Sequence, residues 1–211
     1  MRNRLLLPFL ATLAVGAAGD IAAAAESCAA RGSQTVDSTR AVRLYVDDGR
    51  YRACAYANGR RVKLARGGGT IDDAVIAGRY LAYTVGYDNQ VGRNETVFVR
   101  NVRTGKWVVR GADPRVAETG IEGVEAAEVV SLRLTARGTA AWGTHYVHGE
   151  AARLRAQIVA LGGDKAMRLL AAGPAEDATR IDAFSLALVD APGTPRAYWM
   201  QGAEPQTAPV D

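Results

Sequence analysis

His145 and His148 are the only histidines in this 211-residue chain, and they fall together in "THYVHGE" with Glu150. Two imidazoles and a carboxylate are a ligand set that suits zinc. The spacing works against it on a strand, where positions three apart point to opposite faces. If a strand ends at Tyr146 and a turn follows, His145, His148 and Glu150 can converge, so these three are the weak metal candidates. The second candidate region is "VGYDNQVGRNET", the longest loop expected within the chain's repeats. Its polar residues Tyr87, Asp88 and Asn89, with Gln90, Arg93 and Asn94, are weak candidates for ligand binding, since functional residues favour loops. A polar turn joining two strands is the plainer reading of the same stretch.

Other chemistries find less support. Asp47-Asp48 and Asp72-Asp73 are paired acids, which can do acid–base work or bind calcium. Both sit beside Gly or Thr at expected strand ends, where turn chemistry explains them. The Gly-rich "RGGGT" at 66–70 lacks the Lys-Ser/Thr ending of a phosphate loop and reads as a flexible link. No Ser stands in a G-x-S-x-G elbow. No catalytic residue and no cofactor is assigned from the sequence.

Cys28 and Cys54 are the two cysteines. Without C-x-x-C spacing they read as a structural disulfide in an exported chain. Export is the expectation set by the N-terminus. Arg2 and Arg4 precede an uncharged apolar run from Leu5 to Ala18, and small residues follow before Glu26. This is the pattern of a signal peptide, residues 1–25, cut after Ala25. An uncleaved anchor would need roughly 20 apolar residues, and lipidation at Cys28 would need small or apolar residues where Glu26 stands. Residues 26–211 then form one domain, with 202–211 as a loose tail, in a secreted or otherwise extracytoplasmic protein with no membrane span after cleavage.

The formal charge is +4. The basic residues are scattered rather than grouped in a stripe, so nucleic acid is not an expected partner. Only Lys63, Lys106 and Lys165 are lysine, a preference for Arg that fits a high-GC, bacterial coding bias. The expected partner is an unknown protein or extracellular ligand.

The elements that must position these residues are strands. "AVRLYV", "VSLRLT" and "FSLALVD" alternate apolar and polar residues with period two. Asp48-Gly49, Asn58-Gly59, Thr104-Gly105, Gly138, Gly162-Gly163 and Pro192-Gly193 punctuate them as turns. Residues 151–172 fit a helix by composition, but repeat context favours strands. One hairpin type recurs in "YANGRRVKL", "NVRTGKW" and "ALGGDKAMRL". A second recurs around Gly78, Gly138 and Gly193, each followed by a strand bearing an aromatic: Tyr83, Trp142, and Tyr198-Trp199. Calling the strands A to D, the chain reads B-C-D, A-B-C-D, A-B-C-D, A-B, about thirteen strands with repeat spacings near those of propeller blades. The Gly59, Gly105 and Gly162 turns are expected on one side of the molecule.

The units "AGRYLAYTV…TVFVRNVRTGKW" and "SLRLTARGTAAWGTHYV" resemble blades of secreted bacterial TolB-like or WD40-like β-propeller repeat proteins. That resemblance implies an all-β antiparallel meander in four-stranded, propeller-like blades, incomplete or open at this length, and an oligomer if the ring is incomplete. It implies no catalytic residues. The expected function is a non-catalytic binding or scaffold module; the alternative is a secreted hydrolase or metal-dependent enzyme with a site near His145 and His148.

Overall fold

The computed structural model describes residues 28, 29, 31–64, 69–90, 92–115, 124–148 and 153–210. The N-terminal segment read as a signal peptide lies outside them, as do Glu150 and most of "RGGGT". The described residues form an all-β, propeller-like architecture of fifteen strands. They group into four successive antiparallel meanders. The first is β1 (Gln34–Ser38), β2 (Val42–Asp47), β3 (Arg50–Ala55) and β4 (Arg60–Lys63). The second is β5 (Thr70–Ala77), β6 (Tyr80–Asn89), β7 (Gly92–Asn101) and β8 (Trp107–Ala112); the third is β9 (Val124–Leu134), β10 (Ala140–His148), β11 (Arg153–Leu161) and β12 (Met167–Pro174). The fourth is β13 (Ile181–Val189), β14 (Arg196–Gln201) and β15 (Glu204–Pro209). The second and third units form one continuous sheet through a parallel pairing of Asn94 with Ala127.

The turns fall where Gly and Asp permit. Asp48 and Gly49 both take positive φ, 51° and 68°, which is the two-residue hairpin turn that Asp-Gly favours. The first turns of successive units then touch along one end of the molecule. Thr39 Oγ1 donates to the Gly78 carbonyl at 2.8 Å, Gly78 packs against Ala136, and Arg137 donates to the Gly193 carbonyl at 3.0 Å. At the same end Asn58 Nδ2 donates to the Arg103 carbonyl at 3.0 Å, which puts the Gly59 and Gly105 turns side by side. The repeat read from the glycine spacing is therefore a repeat of position.

Three apolar layers separate the four units. Val42, Leu44 and Val62 of the first unit meet Leu81, Tyr83 and Val85 of the second. Ala82, Val97 and Val99 meet Leu132, Trp142 and Val159. Ala141, Ala156 and Ile158 meet Ile181, Leu186 and Trp199. Tyr83, Trp142 and Trp199 thus share one role: each is buried on the face its unit turns to the preceding unit. Trp142 is fully buried, and its Nε1–H donates to the Pro114 carbonyl at 2.6 Å. Among the described residues no apolar cluster joins β13–β15 back to β1–β4.

The Cys28–Cys54 disulfide is formed, and with Tyr45 and Tyr56 it covers the outer face of the first sheet. Arg43 seals the same corner, donating from Nη1 to the Cys28 carbonyl at 2.6 Å.

Three expectations are corrected. Among the described residues the strands number fifteen, since Gln34–Ser38 pairs with β2 and Glu204–Pro209 with β14 as additional edges. Residues 202–211 are no loose tail. Gly202, at φ 60°, turns the chain back, and Glu204–Pro209 pairs along β14; Pro205 and Pro209 are tolerated because β15 is an edge strand. The stretch 85–96 is no long loop either. β6 and β7 run on to Asn89 and from Gly92, closing a tight hairpin. Residues 153–161 and 167–174 are strands, since Leu154, Ala156 and Ile158 alternate inside a sheet with two neighbours.

Candidate functional site

At the end of the sheet opposite the first turns, β5, β6 and β7 bring charged side chains together. β5 enters the sheet with a bulge: Ile71 pairs with Val85 and Ala74 with Tyr83, leaving Asp72 and Asp73 opposite the single residue Thr84. Such an insertion re-aims side chains that regular alternation would hold on opposite faces. Asp72-Asp73 is thus a bulge inside a strand, not a turn. Asp72 points across β6 to Arg93 on β7, and Gly86 lies beneath the pair. A Cβ at Gly86 would stand 2.1 Å from an Asp72 carboxylate oxygen and 2.3 Å from Arg93 Nη2. The glycine is the space the ion pair occupies.

Arg93 is the hub. Its Nη2 donates to Asp72 Oδ1, its Nε to Asp72 Oδ2 at 3.1 Å, and its Nη1 to Asp88 Oδ1 at 2.8 Å. Nη2 also bonds Thr70 Oγ1. Glu95, two residues on, lies below. Its side chain is 2% exposed; Oε1 is 3.6 Å from Arg93 Nε, and Oε2 accepts the Val129 N–H of β9 at 2.9 Å.

Burial first, and then the hydrogen bond and charge of Asp72, push Glu95 up to about 7. Asp72 moves the other way. Burial would raise it, but hydrogen bonds from Arg93, Glu95 and Thr70 outweigh that and hold it below the usual carboxylate range. Two carboxyls in contact cannot both ionise cheaply, so one keeps the proton. Below about pH 7 Glu95 holds it and Asp72 carries the charge.

Beside this network lies a small cavity of about 100 Å³ lined by Arg93, Glu128, His145, Tyr146 and Leu154 among others. His145 and Glu128 are direct cross-strand partners on β10 and β9, so both side chains stand on one face. His145 is half-buried, with its ring edge-on to Phe184 at 5.3 Å between centroids. Burial lowers its pKa, against the opposing charges of Glu128, Asp182 and Glu176. Burial thus favours the neutral imidazole, whose lone pair can accept a proton.

The residues singled out from the sequence divide accordingly. His145 lines the cavity. β10 runs on through His148, so the strand end at Tyr146 that metal convergence requires is absent, and Glu150 lies outside the described residues. Among the described residues no group of three metal-ligating side chains forms. Asp88 joins the network as the exposed partner of Arg93. Tyr87 lies exposed on β6, and Asn89 ends that strand. Glu95 and Glu128 were not singled out. The signal for Glu95 was there: it shares its strand parity with buried Val97 and Val99, a carboxylate on the inward face.

No family model matches the chain, and no curated protein matches it. Solved structures do. The GH32 β-fructofuranosidase of Bombyx mori, as a mutant in complex with sucrose, aligns at 12% identity and TM-score 0.36, over 88% of this chain and 48% of that one. A second structure of the same enzyme aligns at 12% identity and TM-score 0.34, over 75% of this chain and 38% of that one. This chain thus spans less than half the length of the enzyme it matches. These matches are to hydrolase chains, which contradicts the expectation of a non-catalytic binding or scaffold module. Likeness at this level assigns no substrate; the grounds for a mechanism are this chain's own side chains.

Proposed function

We propose that the chain is an exported hydrolase that activates water at His145. The observation that carries the reading is the shared cavity: His145, Arg93 and Glu128 line one space large enough for a few water molecules, and burial favours the neutral imidazole. His145 takes a proton from water as the oxygen attacks an acyl carbon. Arg93 faces the negative charge that develops on the acyl oxygen, a fixed cation in a partly dry site. Glu128, across the strand pair, stabilises the imidazolium that forms. The imidazolium then returns its proton to the leaving oxygen.

Asp72 and Glu95 act behind this step as positioning residues: Asp72 holds Arg93 by a bidentate contact and Glu95 supports it from below. They are not a pair flanking a glycosidic bond, because such carboxyls stand about 5 Å or more apart and these two share a hydrogen bond. Ester hydrolysis is therefore the favoured reaction. The formed disulfide supports an oxidising compartment. Among the described residues no helix is long and apolar enough to cross a membrane.

The test is a panel of chromogenic esters, amides and glycosides offered to the purified chain. Turnover of short-chain esters that is abolished in Arg93→Gln supports the reading. Turnover that survives in Arg93→Gln removes Arg93 from the mechanism, and no ester turnover ends the proposal.

A further inference from the structure

Away from the candidate site, a cleft of about 630 Å³ opens between the first and second units. Four cationic side chains line it: Arg61 and Lys63 from β4, Arg100 from β7 and Arg110 from β8. No acidic side chain is among the described residues that line it. Arg61, Lys63 and Arg110 are exposed and Arg100 is half-buried.

Two irregularities of β8 make this arrangement. Arg100 pairs with Trp107, Val99 with Val109, Phe98 with Arg110 and Val97 with Ala112. Val108 and Gly111 are each an extra residue on the β8 side, and Gly111 takes φ 71°. The bulge at Val108 puts Trp107 and Arg110, three apart in sequence, on one face with Phe98 and Arg100. The guanidiniums then pack on the indole: Arg100 Cζ is 4.5 Å from the Trp107 ring centroid and Arg110 Cζ is 5.9 Å. Arg100 Nε also donates to the Gly105 carbonyl at 3.0 Å.

The aromatic rings are engaged with one another. Tyr83 stacks on Phe98 at 4.9 Å and 8°, and Phe98 meets Trp107 at 5.9 Å and 52°. With Arg100 over the indole as well, the cleft is poorly suited to stacking a nucleobase. The rings instead hold planar guanidiniums in place, and a fixed guanidinium fork is matched to phosphate, sulfate or carboxylate.

We infer that this cleft is a binding site for a small ligand carrying two or more oxyanion groups, distinct from the His145 cavity and independent of the hydrolase reading. Arg61 and Lys63 come from the first unit and Arg100 and Arg110 from the second, so a ligand held in the cleft bridges the two units. The experiment is calorimetric titration of the full chain with tripolyphosphate, with a disulfated disaccharide, with citrate, and with hexathymidylate. Lys63→Glu/Arg110→Glu is run alongside, with its thermal unfolding compared to the unchanged protein.

The inference expects saturable one-to-one binding of at least one of the three small oxyanions. Which of them binds identifies phosphate, sulfate or carboxylate as the source. Affinity should fall about tenfold between 50 and 200 mM salt, as roughly two contacts to a polyanion require, and at least about tenfold in the double variant with unchanged unfolding, from reversing two contacting charges. Should the double variant unfold early, Lys63→Gln alone takes its place. No saturable binding, binding indifferent to the substitutions, or hexathymidylate binding tighter than every small oxyanion overturns it.

Discussion

Glu95→Gln isolates the electrostatics of the site. In the folded protein Glu95 is raised from 4.5 to about 7, chiefly by burial. A carboxyl raised on folding contributes its stability in full below the unfolded value and loses it as pH climbs through the folded one, because the folded state binds the extra proton between the two. The shift corresponds to about 3 kcal/mol in total, at 1.36 kcal/mol per unit. About 2 kcal/mol of that falls between pH 5 and pH 8. Gln keeps an oxygen for the Val129 N–H and offers Asp72 a donor at every pH. With Gln standing in for the protonated acid, the variant should exceed the parent by about 1 kcal/mol at pH 5 and by about 3 kcal/mol at pH 8. Urea unfolding at pH 5, 6, 7 and 8 reads this directly. Asp72 and Asp113, both lowered, titrate below the window. His145, lowered by burial, has the opposite sign, with stability lost as pH falls through the ordinary imidazole value, and together with Asp73 it contributes equally to both proteins. Parallel curves, differing in slope by less than about 0.5 kcal/mol across the window, would refute a proton-sharing carboxyl pair.

Two further perturbations test the scaffold. Cys28→Ser/Cys54→Ser opens a link across 26 residues and should cost about 3 kcal/mol by the chain-entropy estimate, seen as a lower urea midpoint; a change below about 1 kcal/mol would mean that the disulfide constrains little. Gly143→Ala places a methyl 2.5 Å from the Ala183 carbonyl oxygen and 2.8 Å from Ser131 Oγ, wedging apart the layer between the third and fourth units. A loss of about 1–3 kcal/mol is expected for such overpacking, and wild-type stability would contradict the packing described.

The fold was legible where glycine and alternation act locally. The turns at Gly59, Gly78, Gly105, Gly138 and Gly193 each need positive φ, and only a few residue types supply it, so their spacing carried the repeat. β15 was not legible because Pro205 and Pro209 read as strand breakers, and only the edge position excuses them. The candidate site was legible in part. His145 stood out as a rare residue, and Glu95 could have stood out as a charge on an apolar parity. Asp72 could not. Its direction depends on a bulge that no local residue announces, and its partner lies 21 residues away across a strand whose only concession is the missing side chain of Gly86.

The central claim is that His145 is the base of a working hydrolytic site. The direct measurement is kcat/KM for ester hydrolysis against pH, in the parent chain and in His145→Gln. The account predicts a rate that rises with pH through a midpoint below the ordinary imidazole value and then levels off, since burial keeps His145 neutral. It predicts a loss of about a hundredfold or more in the variant, the usual contribution of a positioned base. A His145→Gln protein that folds normally and retains the parent's rate and pH profile would contradict it.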